Sequence, residues 1–306
     1  MTACGVIGVG AIGRGFVASL LRAGFPVAVH DVDPEAVARA AALGAKAAAS
    51  PSELASASEV VLLALPDTPD ILQAFDAGLE DGLVRGTTVL VTSTVSPDTP
   101  VALERRLAPR GVDVLDTPVS GGPARAAAGE LSIMVGGPPE LFRRRREVLD
   151  ALASHVVHVG PTGHGEIAKL VNNLMGAVIV LGIAESLALA AATGADVERV
   201  CEAIAGSSGS SWILREWIPD TVFRGDYERR FSLDLMRKDM SLIAGLARDT
   251  RVRTPALELA TATFERAIAA GYGSCDFSVV AALAAQAAGT ELPGGPPPSP
   301  MLARDI

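Results

Sequence analysis

The chain is poor in the residues that build disulfide and metal sites. Three cysteines, Cys4, Cys201 and Cys275, are scattered over 306 residues and form no ligand-spaced pair. That usage excludes a disulfide framework and fits small buried residues in a reducing compartment. Histidine is equally sparse at four residues. His155 and His158 stand three apart in a strand-like run and so point to opposite faces. No metal site is expected. Basic runs are also missing, and 26 Lys plus Arg against 35 Asp plus Glu leave a net charge of −9. An acidic chain is a poor partner for polyanions, which argues against nucleic acid and anionic membrane. No internal repeat is found by inspection, and 31 Gly with 20 Pro stay below the low-complexity range. Met1-Thr2-Ala3-Cys4 leads straight into strand-like sequence without a signal-peptide pattern, so a cytoplasmic protein is expected.

What is present is ample material for a core, with 49% apolar and 20% charged residues. At roughly 150 residues per domain the length suggests two domains. Strand candidates are Gly5–Val9, Val27–His30, Val60–Ala64, Thr88–Thr92, Val112–Leu115, Ser132–Val135 and Val156–Val159. Most are continuous Val/Leu/Ile runs, as expected of parallel strands covered on both faces. Helix starts are readable between them. Asp33-Pro34-Glu35 offers an N-cap before a first-turn proline, and Ser50-Pro51-Ser52-Glu53 adds a capping-box glutamate. Ser96-Pro97-Asp98 repeats the pattern. This alternation predicts an α/β class fold, a Rossmann-type doubly wound sheet over residues 1–162.

An all-helical domain is expected over residues 163–290, broken at Gly194, at residues 206–211 and at residues 224–230, with the active site in a crevice beside the first domain. Residues 291–306 hold five prolines and two glycines and are expected to be disordered. Leu174 to Ala192 is apolar almost throughout, near the ~20 residues of a bilayer span. Glu185 lies within it, however, and Lys169, Asn172 and Asn173 crowd its start. A helix apolar all round is equally explained by burial between domains or subunits, which points to a homodimer or homotetramer with no membrane partner.

Gly8-Val9-Gly10-Ala11-Ile12-Gly13 follows the first strand and opens a helix. In a dinucleotide loop the first glycine makes the tight turn, the second lets backbone approach the pyrophosphate, and the third packs helix on strand. The helix start at Ala11 and Ile12 would present free N–H groups to the phosphates. Asp31 lies 18 residues past Gly13, where a carboxylate meets the adenosine ribose, while Asp33 before Pro34 reads as a helix cap. A carboxylate there repels a 2′-phosphate, and no Arg or Lys follows until Arg39. The expected cofactor is NAD in preference to NADP.

Further motifs follow in fixed order: Leu65-Pro66, Ser93-Thr94-Val95-Ser96-Pro97, Asp116-Thr117-Pro118-Val119-Ser120-Gly121-Gly122, Gly163-His164-Gly165, Lys169, and Asn172-Asn173. Then come Ser207-Ser208-Gly209, Trp212, Leu235-Met236-Arg237-Lys238-Asp239 and Asp276-Phe277-Ser278. Together they make the chain resemble the β-hydroxyacid dehydrogenases, most closely bacterial 3-hydroxyisobutyrate dehydrogenases. The resemblance implies hydride transfer between a small 3-hydroxy carboxylic acid and NAD(P). It implies Lys169 as acid/base and Asn173 as the amide that orients substrate. Lys169 would need a pKa below its usual ~10.4, which apolar surroundings and the nicotinamide charge both favour. Substrate carboxylate is implied at Ser120, Gly121 and Gly122, whose successive N–H groups suit an anion. Leu65, Pro66, Thr94 and Lys238 match cofactor-contacting positions, although Lys238-Asp239 equally reads as a surface pair. Trp212 and Phe231 match aromatic positions near the pocket but read first as core.

Three residues depart from the family pattern. Arg125 places a permanent cation three residues past Gly122. It either meets a second polar group on the substrate or is an exposed arginine on a small helix. His164 and Glu166 replace small or neutral residues beside Lys169 and leave the acid unnamed. Imine reductases and non-catalytic dinucleotide-binding proteins share the expected architecture. Lys169 with Asn173 argues against both.

Overall fold

The computed structural model describes residues 1–228 and 230–300. It divides into two compact units, Met1–Leu170 and the remainder from Val171 on. The first unit carries nine strands among the described residues. They are β1 (Cys4–Ile7), β2 (Val27–His30), β3 (Lys46–Ala47), β4 (Val60–Leu63), β5 (Thr88–Val91), β6 (Asp113–Asp116), β7 (Val119–Ser120), β8 (Leu131–Gly136) and β9 (Ala153–Gly160).

β1 lies between β2 and β4, pairing Cys4 with Val27 on one side and with Val60 on the other, both in parallel. Six parallel strands thus run in the order β3-β2-β1-β4-β5-β6. Beyond them β8 runs antiparallel to β6 and β7, and β9 lies parallel beside β8. Strand order reverses between β1 and β4, and in such sheets ligands bind outside the carboxyl ends at that point.

Side-chain alternation explains the continuous apolar runs. Val6, Leu62, Leu90 and Leu115 face one side with Phe16 and Leu20. Ile7, Val61, Leu63, Val89, Val91 and Val114 face the other with Leu54, Ile71 and Leu103. Both sides are covered by helices, so a strand with no polar face is stable. Each large side chain so buried is worth about 1.5–3 kcal/mol. β3 and β7 were not expected from the sequence. Two residues are too few to display a period.

The helix starts follow the caps. Asp33 accepts the N–H of Glu35 at 2.9 Å before the helix Pro34–Ala41, and Ser50 accepts that of Glu53 at 3.1 Å before Pro51–Ser56. Ser96 differs, since the following helix begins only at Asp98.

The second unit is helical. After the long helix His164–Ala192, which starts in the first unit, come Val197–Ala205, Leu233–Thr250, Pro255–Ala267 and Val279–Ala287. Gly194, at φ +78°, supplies the left-handed turn that follows the long helix. By length and composition that helix alone could cross a membrane among the described residues. Ala177, Val180, Leu181, Ala184, Leu187 and Ala188 are buried, whereas Val171, Met175, Val178 and Leu189 are exposed.

The tail corrects one expectation. Disorder from Glu291 on does not hold at its start, because Leu292 is buried and bridges to Gly295. Gly294 lies so close to Val222 and Gly225 that no side chain would fit there. An apolar anchor followed by glycine fastens the segment despite its prolines. Residues 301–306 lie outside the described residues.

Candidate active site

The glycine loop after β1 has three distinct environments. Gly8 sits at φ +84°, and a Cβ there would strike the carbonyl of Ala64. A Cβ on Gly13 would strike the carbonyl of Gly8, so helix and strand meet only without a side chain. Gly10 is the opposite case, with nothing within 4 Å of an added Cβ. No packing contact within the protein calls for a glycine there. Gly10 is also the N-cap of the helix Ala11–Arg22, and no side chain caps that end. Open space and free N–H groups at Ala11 and Ile12 fit a dinucleotide pyrophosphate.

Asp31, at the end of β2, accepts the N–H of Val9 at 2.7 Å and that of Asp33 at 2.9 Å. Each carboxylate oxygen takes one bond, which fixes the group beside the loop with lone pairs to spare for a ribose diol. Arg39 is occupied by Asp33 at 3.2 Å and Glu35 at 3.4 Å. The nearest cation in sequence after Asp31 is therefore already paired with carboxylates of its own helix start.

Of the other positions expected beside the cofactor, Leu65, Pro66 and Thr94 lie just past β4 and β5, and Lys238 lies on the helix Leu233–Thr250. Ser93 ties two of these loops together, accepting the N–H of Leu65 at 2.9 Å and donating to the carbonyl of Leu63 at 3.1 Å. Leu65 after β4 is thereby tied to Ser93, the neighbour of Thr94, after β5.

Asp116 ends β6 fully buried. Its carboxylate accepts N–H groups from Gly163 at 2.8 Å and Glu166 at 3.0 Å, at the start of the long helix. Burial pushes the Asp116 carboxyl above the ordinary range, against these N–H groups, which favour its charged form. A Cβ on Gly165 would stand 2.7 Å from Asp116 and 2.6 Å from the Met134 carbonyl. The Gly163-His164-Gly165 motif is thus a seat for Asp116.

Four residues on, Ser120, Gly121 and Gly122 are half-exposed, and the glycines adopt φ +134° and +76°. The following helix, Gly122–Ala128, rests on Ala11–Arg22. Arg22 donates to the Ala127 carbonyl at 2.8 Å, and a Cβ on Gly15 would come within 2.6 Å of Ala126. Arg125 is half-buried, with its Cδ 3.2 Å from where a Gly121 Cβ would stand. Its aliphatic stem therefore lies against the turn at Gly121.

Lys169 and Asn173 are each 7% exposed and lie at i and i+4 on the long helix, hence on one face. Asn173 donates from Nδ2 to Asp239 Oδ2 at 2.5 Å and accepts from Asn172 at 3.1 Å. Asp239 is 1% exposed and takes Lys238 Nζ at 3.1 Å on its other oxygen. The surface-pair reading of Lys238-Asp239 is thereby corrected. Asp239 fixes the Asn173 amide, a contact that the sequence does not reveal. The signal for its burial was available, because Met236, Asp239, Met240 and Ile243 form one buried helical stripe.

Trp212 is 43% exposed and meets Trp217 edge-on at 5.6 Å, so it is not core. Phe231 stacks edge-on to Phe277. Asp276 ties this cluster together by accepting from Trp217 at 2.9 Å, the Phe231 N–H at 3.1 Å and the Ser278 hydroxyl at 2.6 Å.

Known proteins share this sequence family and fold. The family model of the NAD binding domain of 6-phosphogluconate dehydrogenase matches residues 3–160. That of the NAD-binding domain of NADP-dependent 3-hydroxyisobutyrate dehydrogenase matches residues 163–284. An L-threonate dehydrogenase of Cupriavidus necator is 37% identical over 95% of this chain and 97% of its own. An NAD-dependent L-serine dehydrogenase of Pseudomonas aeruginosa is 36% identical over 90% and 95%. Among solved structures, the 3-hydroxyisobutyrate dehydrogenase of Mycobacterium tuberculosis with L-serine superposes with a TM-score of 0.84. It is 30% identical, covering 92% of this chain and 98% of that one.

Proposed function

The chain belongs to the β-hydroxyacid dehydrogenase family, and from that premise we propose that it oxidises the hydroxyl-bearing carbon of a small 3-hydroxy carboxylate, 3-hydroxyisobutyrate-like, with NAD. Bound NAD supplies the hydride acceptor. The observation that carries the reading is the pairing of Lys169 with Asn173, two nearly buried polar groups one helical turn apart. Lys169 Nζ takes the hydroxyl proton as the carbonyl forms, and returns it in the reverse direction. Asn173, its amide fixed by Asp239, holds the substrate oxygen against that nitrogen. Ser120, Gly121 and Gly122 receive the carboxylate with backbone N–H and hydroxyl donors. Gly8, Gly10, Ala11, Ile12 and Gly13 cradle the pyrophosphate and Asp31 the ribose. Leu65, Pro66, Thr94 and Lys238 complete the cofactor's surroundings.

The exposed stripe Val171, Met175, Val178 and Leu189 recurs at helical spacing along one face of the long helix. Water is a poor neighbour for such a stripe, and we assign it to a second copy of the chain in a cytoplasmic homo-oligomer.

The test is NADH formation from 3-hydroxyisobutyrate, 3-hydroxypropionate, glycerate, 4-hydroxybutyrate and threonate, each repeated with NADP, in the wild type and in Lys169→Ala. Turnover lost in the variant while NAD binding survives is the expected result. Absence of turnover on every acid, with NAD still bound by the wild type, would overturn the substrate class.

A further inference from the structure

Glu166 is a buried carboxylate that the reaction as derived above does not use. It has no exposed surface, and it stands three residues before Lys169 on the same helix. Residues at that spacing are neighbours, about 5–6 Å apart at Cβ. Glu166 is also held from two sides. Its backbone N–H is bonded to Asp116 at 3.0 Å, and its Oε2 accepts the N–H of Val95 at 3.1 Å. A charge removed from water is tolerated only beside a partner, and Lys169 is the cation that the helix brings to the same turn.

We propose that Glu166 is a positioning residue that holds Lys169 in its protonated form and so sets the pH window of the reaction. The inference rests on Lys169 being the acid/base. Two influences then oppose each other at Lys169 Nζ: burial favours the neutral amine, and the adjacent carboxylate favours the ammonium. Their balance keeps a proton on Lys169 for donation to a carbonyl and delays its use as a base until higher pH. The other ionisable groups bordering this turn are fixed in place. Asp116 meets the helix at its first N–H groups, and the His164 ring lies against Gly160. The Lys238–Asp239 pair reaches the helix at Asn173. Of these carboxylates only Glu166 shares the turn and the face of Lys169.

The test is the pH profile of kcat/KM for oxidation in the wild type, Glu166→Gln and Glu166→Asp. Glutamine keeps an oxygen for the Val95 N–H and removes the charge. It should move the acidic limb to lower pH by about one unit or more. The reductive rate above neutral pH should fall correspondingly. Aspartate keeps the charge at shorter reach and should return the limb toward its wild-type position. A limb that stays in place in Glu166→Gln, with kcat reduced at every pH, would make Glu166 a brace for Val95 and overturn the inference. The Lys169→Ala control separates the two readings. Should that variant keep full activity, the acid/base reading itself fails; if it is inactive and the limb does not move, only the role of Glu166 fails.

Discussion

The buried carboxylate of Asp116 accepts the backbone N–H of Glu166 at 3.0 Å, so the strand that leads to Ser120 is bonded to the helix that carries Lys169. The Asp116 carboxylate is flanked by two glycines that leave no room for a side chain, Gly136 and Gly165. The strand that leads to Ser120-Gly121-Gly122 and the helix of Lys169 therefore share one anchor.

Asp116→Asn should cost about 1–3 kcal/mol, since the amide cannot accept at both positions and strands a buried N–H. The cost should depend on pH with a definite sign. Burial raises the Asp116 carboxyl above its unfolded value, so its titration adds most stability below the ordinary range near 4 and loses it as pH rises. Urea unfolding of both proteins at several pH values should show the gap narrowing upward from about pH 4.

Gly10→Ala and Gly13→Ala should separate binding from folding. The added methyl at 10 meets open space at an allowed φ of −62° and should leave the melting temperature nearly unchanged. NAD affinity should fall at least tenfold, read by fluorescence titration, an effect of about 1.4 kcal/mol. The same methyl at 13 collides with backbone and should destabilise the fold itself, seen by calorimetry.

Asp239→Asn should leave NAD binding in place and depress kcat. The Asn173 amide loses the carboxylate that fixes its orientation, and a small misplacement of a reacting group can cost about a hundredfold. Steady-state kinetics beside cofactor titration will distinguish this from a general loss of structure.

Cys4 and Cys201 should resist thiol reagents at pH 8 in the folded protein. Burial pushes their thiols up to about 12 and about 11, so almost no thiolate is present. Labelling with a chromogenic disulfide before and after denaturation checks this directly.

Much of this was legible in the sequence because its cause was local. A glycine that must turn, a cap before a proline and a strand without polar residues each declare themselves within a few positions. Gly8, Asp33 and β4 are examples. What escaped depended on distant partners. Asp239 looks like half of a surface pair until Asn173, 66 positions away, is seen to donate to it. Leu292 lies in a proline-rich tail and gives no hint that the start of that tail is anchored. Trp212 reads as core by residue type, yet it is 43% exposed.

The seating of Ala126 against Gly15 constrains anyone who would re-engineer this enzyme. The glycine loop opens directly into the helix Ala11–Arg22, and that helix is bolted to the segment following Ser120-Gly121-Gly122. Residues 10–22 and 121–128 should be exchanged as one cassette. Transplanting either alone would break the packing of Ala126 on Gly15 and the bond from Arg22 to the Ala127 carbonyl.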